Sequence, residues 1–279
     1  MRDRVEDPER EGCRMIFKQF RHEPLNQASY LLACWRKGLA FVVDPIADLG
    51  MALYQAEAGS FGVSIVGVLE THIHADYESC ARELAEVSGC PHYLFRTTPA
   101  AFEYTPLDDD QVLELGNVRV RVIHTPGHTP EHVSYLITDV TRGDEPWAVL
   151  TGDSLLVGDV GRPDLLVADQ AAEGGDPYER AMIQFTSIRD RLFSLPDHVE
   201  VYPGHFGRSP CGGINMSAKA TSTVYFEKQF NLPMRQPNPE IFAEFVRDTS
   251  KPLPEGYETM KRRNLGLLPR QDVGEEAAG

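Results

Sequence analysis

Apolar residues along the chain follow two different repeats, which predict an alternation of strands and helices. Runs of β-branched and apolar residues predict buried strands, whereas apolar positions three or four residues apart predict amphipathic helices. The predicted strands are residues 15–20, 28–34, 40–43, 65–69, 93–95, 111–115, 118–124, 133–138, 147–150 and 199–202. The predicted helices are residues 46–58, 78–88, 181–195, 218–230 and 239–246. Gly116-Asn117, between two of the strands, favours a tight hairpin.

The order of these elements predicts one α/β domain. Strands occur in runs separated by helices, which favours two sheets with helices on their outer faces, an αββα four-layer sandwich. We expect this domain over residues 15–230, after a polar leader at 1–14 and before a C-terminal extension at 231–279 that packs on the same domain. A chain of 279 residues can bury such a core without disulfides.

Composition excludes several classes of function. The chain has 42% hydrophobic and 25% charged residues, as in globular proteins, and a net charge of −15 without a basic stripe, so nucleic-acid binding is not expected. Five cysteines without a CxxC pair favour a reducing compartment over a disulfide framework. No apolar run approaches the roughly 18 residues of a membrane span, and the charged start of the chain does not match a secretory signal. We therefore expect a cytoplasmic protein that does not bind membranes.

Metal-capable side chains stand directly after four of the predicted strands. The four segments are THIHADY at 71–77, HTPGHTPEH at 124–132, GD at 152–153 and YPGH at 202–205. Six of the nine histidines lie in three of these segments, which core packing does not explain. Side chains two residues apart in extended chain face the same way, so His72, His74 and Asp76 can converge on one ion.

These four motifs, in this order and at these separations, resemble the metallo-β-lactamase superfamily over about residues 15–230. The resemblance implies the αββα sandwich, with a metal at one edge between the two sheets. In the two-metal hydrolases of this superfamily, the first motif ends in a histidine that binds the second metal. Tyr77 stands at that position here, and a neutral phenol is a poor zinc ligand, which argues against a complete second site.

Two further segments resemble the persulfide dioxygenases, also called sulfur dioxygenases. They are GDSLLVGDVGRPDL at 152–165 and SPCG at 209–212, and HADY is similar to the HADF variant of bacterial members. Some of those members carry a rhodanese domain, which is not expected here. The resemblance implies one Fe(II) per chain, held by His72, His128 and Asp153. Two imidazoles and one carboxylate leave coordination positions open for O2 and substrate.

The activity implied by this resemblance is oxidation of a low-molecular-weight thiol persulfide, such as glutathione persulfide, by O2 to sulfite and the thiol. Glutathione, coenzyme A, bacillithiol and mycothiol all remain open as the thiol carrier. A homodimer is expected from the family alone. The alternative is a two-zinc thioester hydrolase of the glyoxalase II type, against which Tyr77 and the GDVGRPDL stretch argue. A non-catalytic metal or sulfur carrier is the third reading, against which the intact ligand set argues.

Residues around the ligands have two interpretations each. His74 and Asp76 bind metal in the two-metal relatives, and in a one-iron protein they are predicted to orient the ligands instead, with a helix N-cap as a further alternative for Asp76. His205 is predicted to form a hydrogen bond beside the metal, with direct ligation as the alternative. Tyr77 is predicted to pack as an aromatic ring, with a hydroxyl donor as the alternative.

The loops after the third and fourth of these motif-bearing strands carry the remaining candidates. Arg162 and Asp164 are predicted to form a buried charge pair that braces the Asp153 loop, with binding of a substrate carboxylate by Arg162 as the alternative. Cys211 either takes part in sulfur chemistry near the iron or is an ordinary buried cysteine. The predicted catalytic set is Asp76, Arg162, Tyr202, His205 and Cys211.

Overall fold

The computed structural model describes residues 15–165 and 176–270. The predicted leader at 1–14 and the last part of the predicted extension, 271–279, lie outside the described residues. The strands are β1 Met15–His22, β2 Gln27–Cys34, β3 Leu39–Val43, β4 Ser64–Leu69, β5 His92–Phe95, β6 Thr105–Leu107, β7 Val112–Leu115, β8 Val118–His124, β9 Val133–Asp139, β10 Ala148–Gly152, β11 Leu155–Leu156, β12 Asp159–Val160, β13 Glu200–Pro203 and β14 Ser222–Thr223. The helices are α1 Met51–Ser60, α2 Ala81–Ser88, α3 Pro177–Ser187, α4 Val224–Phe230, α5 Pro239–Thr249 and α6 Tyr257–Asn264.

Two six-stranded sheets face each other and enclose the inner core. The first sheet has the order β1-β2-β3-β4-β5-β6 and the second β14-β13-β10-β9-β8-β7, while β11 and β12 form a separate hairpin. Apolar side chains of both sheets interdigitate, among them Leu32, Val43, Val120 and Tyr135. Helices α1 and α2 cover the outer face of the first sheet, and α3 and α5 that of the second. The αββα prediction is confirmed.

Several elements differ from the predicted boundaries for local reasons. Helix α3 begins at Pro177, earlier than predicted, because the Asp176 side chain caps it by accepting from the N–H groups of Tyr178 and Glu179. Helix α4 begins only at Val224, where the Thr223 hydroxyl is the cap. Strands β11, β12 and β14 are two residues long, too short to give a periodic signal, and β6 and α6 were also not predicted.

The four strand exits meet at one edge of the sandwich. The parallel pair β10–β13 places Gly152 beside Pro203, and the antiparallel pair β9–β10 brings the start of β9 to the end of β10. Main-chain hydrogen bonds then join the two sheets at this edge, from Val133 N to Thr71 O at 2.8 Å and from Ala28 N to Gly204 O at 2.8 Å. The motif loops therefore lie together, as the strand pattern predicts.

Helices beyond residue 230 pack against the sandwich. Phe242, Ala243 and Val246 of α5 lie in the apolar layer with Ala181 and Phe185 of α3. In α6, Lys261, Asn264 and the following Leu265 are buried. No helix among the described residues is long and apolar enough to cross a membrane.

Candidate metal centre

Three donor atoms from three loops converge at the shared edge of the sheets. His72 follows β4, His128 lies between β8 and β9, and Asp153 follows β10. Asp153 Oδ2 lies 3.8 Å from His72 Nε2 and 3.7 Å from His128 Nε2, and all three side chains are buried. Bonds of about 2.1 Å to one ion separate donor atoms by roughly 3–3.6 Å, so a metal fits with only a small contraction. The structure thus brings together the three predicted ligands.

Hydrogen bonds fix the orientation of both imidazole rings. The Thr71 hydroxyl donates to Asp44 Oδ2 at 2.8 Å, so its oxygen accepts from His72 Nδ1 at 2.9 Å. The main-chain oxygen of Arg162 accepts from His128 Nδ1 at 2.7 Å. Both ring protons therefore lie on Nδ1, and each Nε2 keeps a lone pair facing Asp153, the usual arrangement of metal-ligating histidines.

The charges of these groups fit a divalent cation. Burial lowers the pKa of His72 and of His128, so both imidazoles are neutral. Burial alone would raise the pKa of Asp153, but the facing His205 outweighs it and holds the pKa below the usual value. Two neutral nitrogens and one carboxylate with open positions suit Fe(II), and the same donor types also bind Zn(II).

His205 lies between two carboxylates. Its Nδ1 is 2.7 Å from Asp153 Oδ1, and its Nε2 is 2.8 Å from Asp76 Oδ2. Burial opposes protonation, but Asp153 and Asp76 together raise the pKa of His205 well above its usual value. The ring is thus an imidazolium that orients the Asp153 carboxylate, in agreement with the hydrogen-bonding interpretation.

The N-cap alternative for Asp76 is wrong. Helix α2 begins at Ala81, and Cys80 occupies the cap position without a side-chain cap hydrogen bond. Asp76 Oδ2 instead accepts from His205 and from Gln27 Nε2, the latter at 3.1 Å. Its Oδ1 is buried without a hydrogen-bond partner.

A second group of donor atoms lies on the far side of His205. Asp76, His205 and Cys211 each offer one such atom within 4.8 Å of the others. Cys211 is buried against Ala75 and Leu165, and burial raises the pKa of its thiol well above the usual value. Cys211 is thus placed beside His205 and Asp76, not among the three predicted ligands.

His74 and Tyr77 pack together behind the ligands. The Tyr77 ring is 4.3 Å from the His74 ring between centroids, and the side chain is buried, as the packing interpretation predicts. His74 Nε2 lies 3.3 Å from Asp44 Oδ1, and the His74 ring lies 4.3 Å from that of His72. His74 therefore braces His72 and does not join the three donors.

Arg162 and Asp164 brace the loop after β10. Arg162 donates from Nε and Nη2 to the two Asp164 oxygens at 2.6 and 2.8 Å, and from Nη1 to Pro252 O at 3.0 Å. The Arg162 side chain is 2% exposed, in line with the bracing interpretation. The preceding Gly161 has no room for a side chain, because a Cβ there would lie 2.0 Å from Asp153 O.

Tyr202, predicted as catalytic from its place in the YPGH motif, belongs to the core. Its ring packs against Phe17 at 4.6 Å and Trp147 at 6.2 Å, and its hydroxyl donates to Glu200 at 2.6 Å. Tyr202 and Glu200 are two residues apart on β13 and so share a face. The prediction of a catalytic Tyr202 is corrected for this reason.

Sequence reasoning missed three side chains that support the ligands. His132 Nε2 accepts the Asp153 N–H at 3.0 Å, and Asp44 accepts the Thr71 N–H at 2.7 Å. Gln184 Nε2 donates to Gly161 O at 2.9 Å from helix α3. Asp44 directly follows strand β3, as the predicted ligands follow their strands, so its position in the sequence could have indicated a role at the site. Gln184 lies within helix α3, and no neighbouring sequence feature indicates such a role.

Comparisons with known proteins agree with this architecture. The sequence model of the metallo-beta-lactamase superfamily matches residues 22–205. The crystal structure of a metallo-beta-lactamase from Staphylococcus aureus subsp. aureus COL is 34% identical with a TM-score of 0.80, over 90% of this chain and 72% of that one. ETHE1 from Myxococcus xanthus has the same fold, at 24% identity and a TM-score of 0.76, over 91% of this chain and 99% of that one. The probable polyketide biosynthesis zinc-dependent hydrolase BaeB of Bacillus velezensis is 26% identical over 212 residues, which are 74% of this chain and 84% of that protein.

Proposed function

Because the chain belongs to the metallo-beta-lactamase superfamily, whose members are enzymes, we propose that it is a metal-dependent enzyme and, more specifically, an iron-dependent persulfide dioxygenase. Its substrate would be a low-molecular-weight thiol persulfide such as glutathione persulfide. The persulfide, O2 and water give the thiol and sulfite, with the outer sulfur losing four electrons and O2 accepting them. This reaction would remove sulfide-derived persulfide.

The observation that carries the proposal is the donor set of two imidazoles and one carboxylate. His72, His128 and Asp153 form a single buried group, and two-histidine, one-carboxylate sites with open positions are typical of non-haem Fe(II) oxygenases. Tyr77 occupies the place of the second-metal histidine and packs against His74. The GDVGRPDL and SPCG segments add the resemblance to persulfide dioxygenases.

Fe(II) held by His72, His128 and Asp153 would supply open coordination positions and the electron transfer that O2 chemistry needs. The protein's own groups prepare the site. His205 lies between the Asp153 and Asp76 carboxylates and orients both of them beside the ion. The side chains of His72, His128 and Asp153 are buried, which strengthens the electrostatic interactions within the site.

Anaerobic purification followed by metal analysis tests the proposal. We expect near one iron per chain, O2 uptake with glutathione persulfide, and sulfite as the product. The Asp153→Ala variant should lose iron and activity while its far-ultraviolet circular dichroism stays that of the folded protein. Full iron content in this variant would refute the ligand assignment.

The alternative function is a two-zinc thioester hydrolase of the glyoxalase II type. The group of Asp76, His205 and Cys211 favours it, because these donors could take a second ion beside the first. Cobalt titration separates the two functions, since a second Co(II) at this group would give a thiolate-to-cobalt charge-transfer band that Cys211→Ser removes. Thioester cleavage with two metals per chain and no O2 uptake would replace the dioxygenase by the hydrolase.

A further inference from the structure

Residues 251–264, here called the C-terminal clamp, touch three of the four motif loops. The clamp lies beyond the part of the chain that matches the superfamily, residues 22–205. Lys251 Nζ donates to Ser209 O at 2.6 Å in the loop after His205, and Pro252 O accepts from Arg162. Lys261 Nζ donates to Leu165 O at 2.9 Å, at the end of the loop after Asp153.

Asn264 makes the contacts with the third loop, which carries His72 and Asp76. Its Nδ2 donates to His74 O at 2.9 Å and to Tyr77 O at 2.8 Å, and its Oδ1 accepts from Ser79 N at 3.0 Å. The Asn264 side chain thus directs its hydrogen-bonding groups at one short segment, 74–79. Asn264 is 5% exposed, so water does not offer these backbone groups an equivalent partner.

The segment that Asn264 contacts lies between regular elements. Strand β4 ends at Leu69 and helix α2 begins at Ala81. Ile73 N donates to Glu131 Oε1 at 3.1 Å and Ala47 N donates to Glu78 O at 2.9 Å, so the two ends of the segment have other partners and Asn264 bonds the stretch between them. An amide that bonds three main-chain groups of such a segment sets its path in the way a turn of regular structure would. Asp76 lies within this segment and accepts the hydrogen bond of His205, which in turn orients the Asp153 carboxylate.

Lys261 and Asn264 lie on the same face of α6, three residues apart. Lys261 is fully buried, and burial lowers the pKa of its ammonium. One helix face therefore fixes the His72–Asp76 loop through Asn264 and the Asp153 loop through Lys261. These two loops provide two of the three donors and come from different sheets.

We propose that Asn264 is a positioning residue of the metal site. It holds segment 74–79 so that Asp76 accepts from one nitrogen of His205, whose other nitrogen orients the Asp153 carboxylate before any ion binds. The free-energy cost of ordering the ligands on metal binding is then smaller. The metal affinity therefore depends on the Asn264 side-chain amide, which contacts neither the ion nor the substrate. This inference rests on the ligand set of the proposed function, though not on the identity of the substrate or of the metal.

Two variants of Asn264 test the inference with Co(II) alone as the probe. Asn264→Asp keeps the size of the side chain and an acceptor for Ser79 N, but turns an oxygen toward the carbonyl groups of His74 and Tyr77. Asn264→Ala removes all three bonds. The matched control is Asn117→Ala in the β7–β8 hairpin, away from the motif loops. It removes a partly buried hydrogen bond of 3.1 Å from the Asn117 side-chain amide to Asp139 Oδ1.

The measurements are the Co(II) dissociation constant by chelator competition and the visible absorption of the bound ion, at a temperature where circular dichroism shows each variant folded. We expect both Asn264 variants to weaken binding by about 10- to 100-fold and to change the visible spectrum, and Asn117→Ala to do neither. Should Asn264→Asp not fold, Asn264→Ser, which leaves room for a bridging water, serves in the same comparison.

Two results would overturn the inference and are distinguishable. If the Asn264 variants unfold at lower temperature but bind Co(II) with wild-type affinity and spectrum, Asn264 has a purely structural role and the proposed function stands. If the wild-type protein does not bind Co(II), the ligand set itself is wrong, and both the proposed function and this inference fail.

Discussion

Replacing Thr71 by valine removes the hydroxyl that orients His72 while keeping the shape of the side chain. In the structure the hydroxyl oxygen accepts from His72 Nδ1 at 2.9 Å, and the hydroxyl donates to Asp44 Oδ2 at 2.8 Å. Asp44 keeps its bond from the Thr71 N–H at 2.7 Å in the variant. The principal loss is therefore the acceptor for the His72 ring proton.

The magnitude follows from the two states open to His72. Either Nδ1–H stays buried without an acceptor, which costs about 1–3 kcal/mol, or the proton moves to Nε2, where it faces Asp153 and blocks the ligand atom. Since each 1.4 kcal/mol is a factor of ten, metal affinity should fall by about 5- to 100-fold. His72 is buried, so solvent does not restore the bond.

The assay is competition with a chromophoric chelator, for wild type, Thr71→Val and Thr71→Ser. Thr71→Ser retains a hydroxyl and should recover most of the affinity. Thr141→Val is the control, because it removes a threonine–carboxylate bond of 2.6 Å to Asp139 without contact to the site.

Wild-type affinity in Thr71→Val, with the protein folded, would refute the argument that the hydroxyl sets the His72 tautomer. An equal loss in Thr71→Val and Thr71→Ser would refute it as well, since the serine hydroxyl can make the same bond.

Three further outcomes follow from the loop after β10. Gly161→Ala should lower both the unfolding free energy and the metal content, because a Cβ there would lie 2.0 Å from Asp153 O. Gly59→Ala in α1 is the control: its Cβ meets nothing within 4 Å, and it should raise the unfolding free energy by about 0.5–1 kcal/mol in denaturant titrations. Burial raises the pKa of Asp159 to about 6, so at about pH 5 the folded protein holds a proton that the unfolded chain has released. The contribution of Asp159 to the unfolding free energy should therefore fall by on the order of 2–3 kcal/mol as pH rises from about 4 through 6, and the difference between wild type and Asp159→Asn in denaturant titrations should change by this amount over that range. Arg162→Lys keeps the positive charge but loses the two parallel hydrogen bonds to the Asp164 carboxylate, so it should weaken metal binding in the chelator assay. Unchanged metal affinity would contradict a bracing role of Arg162.

The fold and the three proposed ligands were accessible from sequence because each has a local signal. Strand β4 is a continuous apolar run, and His72, His128 and Asp153 follow strands whose exits meet at one edge. The resemblance then selected these three among the metal-capable residues.

The strand alternation rule misleads beyond the last hydrogen-bonded residue of a strand. His72, His74 and Asp76 are spaced by two, yet β4 ends at Leu69, and the three side chains face different partners: Asp153, Asp44 and His205. The alternation rule does hold at Tyr202, which lies within β13. It predicts that Tyr202 shares a face with Glu200, and the two side chains are hydrogen-bonded there.

Contacts between distant parts of the chain had no signal in sequence. Asn264 reaches His74 across 190 residues, and α6 has no strong apolar stripe because the residues it buries include a lysine and an asparagine. Gln184 supports the Asp153 loop from a helix that otherwise packs apolar side chains. Such polar contacts depend on the tertiary arrangement, which pattern reasoning does not provide.

The proposed ligands come from both halves of the sandwich, His72 from the first sheet and His128 and Asp153 from the second. An ion bound there links the two sheets across their shared edge, so its binding free energy adds to the free energy of unfolding. At a metal concentration of 100 times the dissociation constant, the gain is about 2.7 kcal/mol. The unfolding temperature thus depends on metal occupancy. Chains without metal would unfold at lower temperature and would be cleaved by proteases sooner.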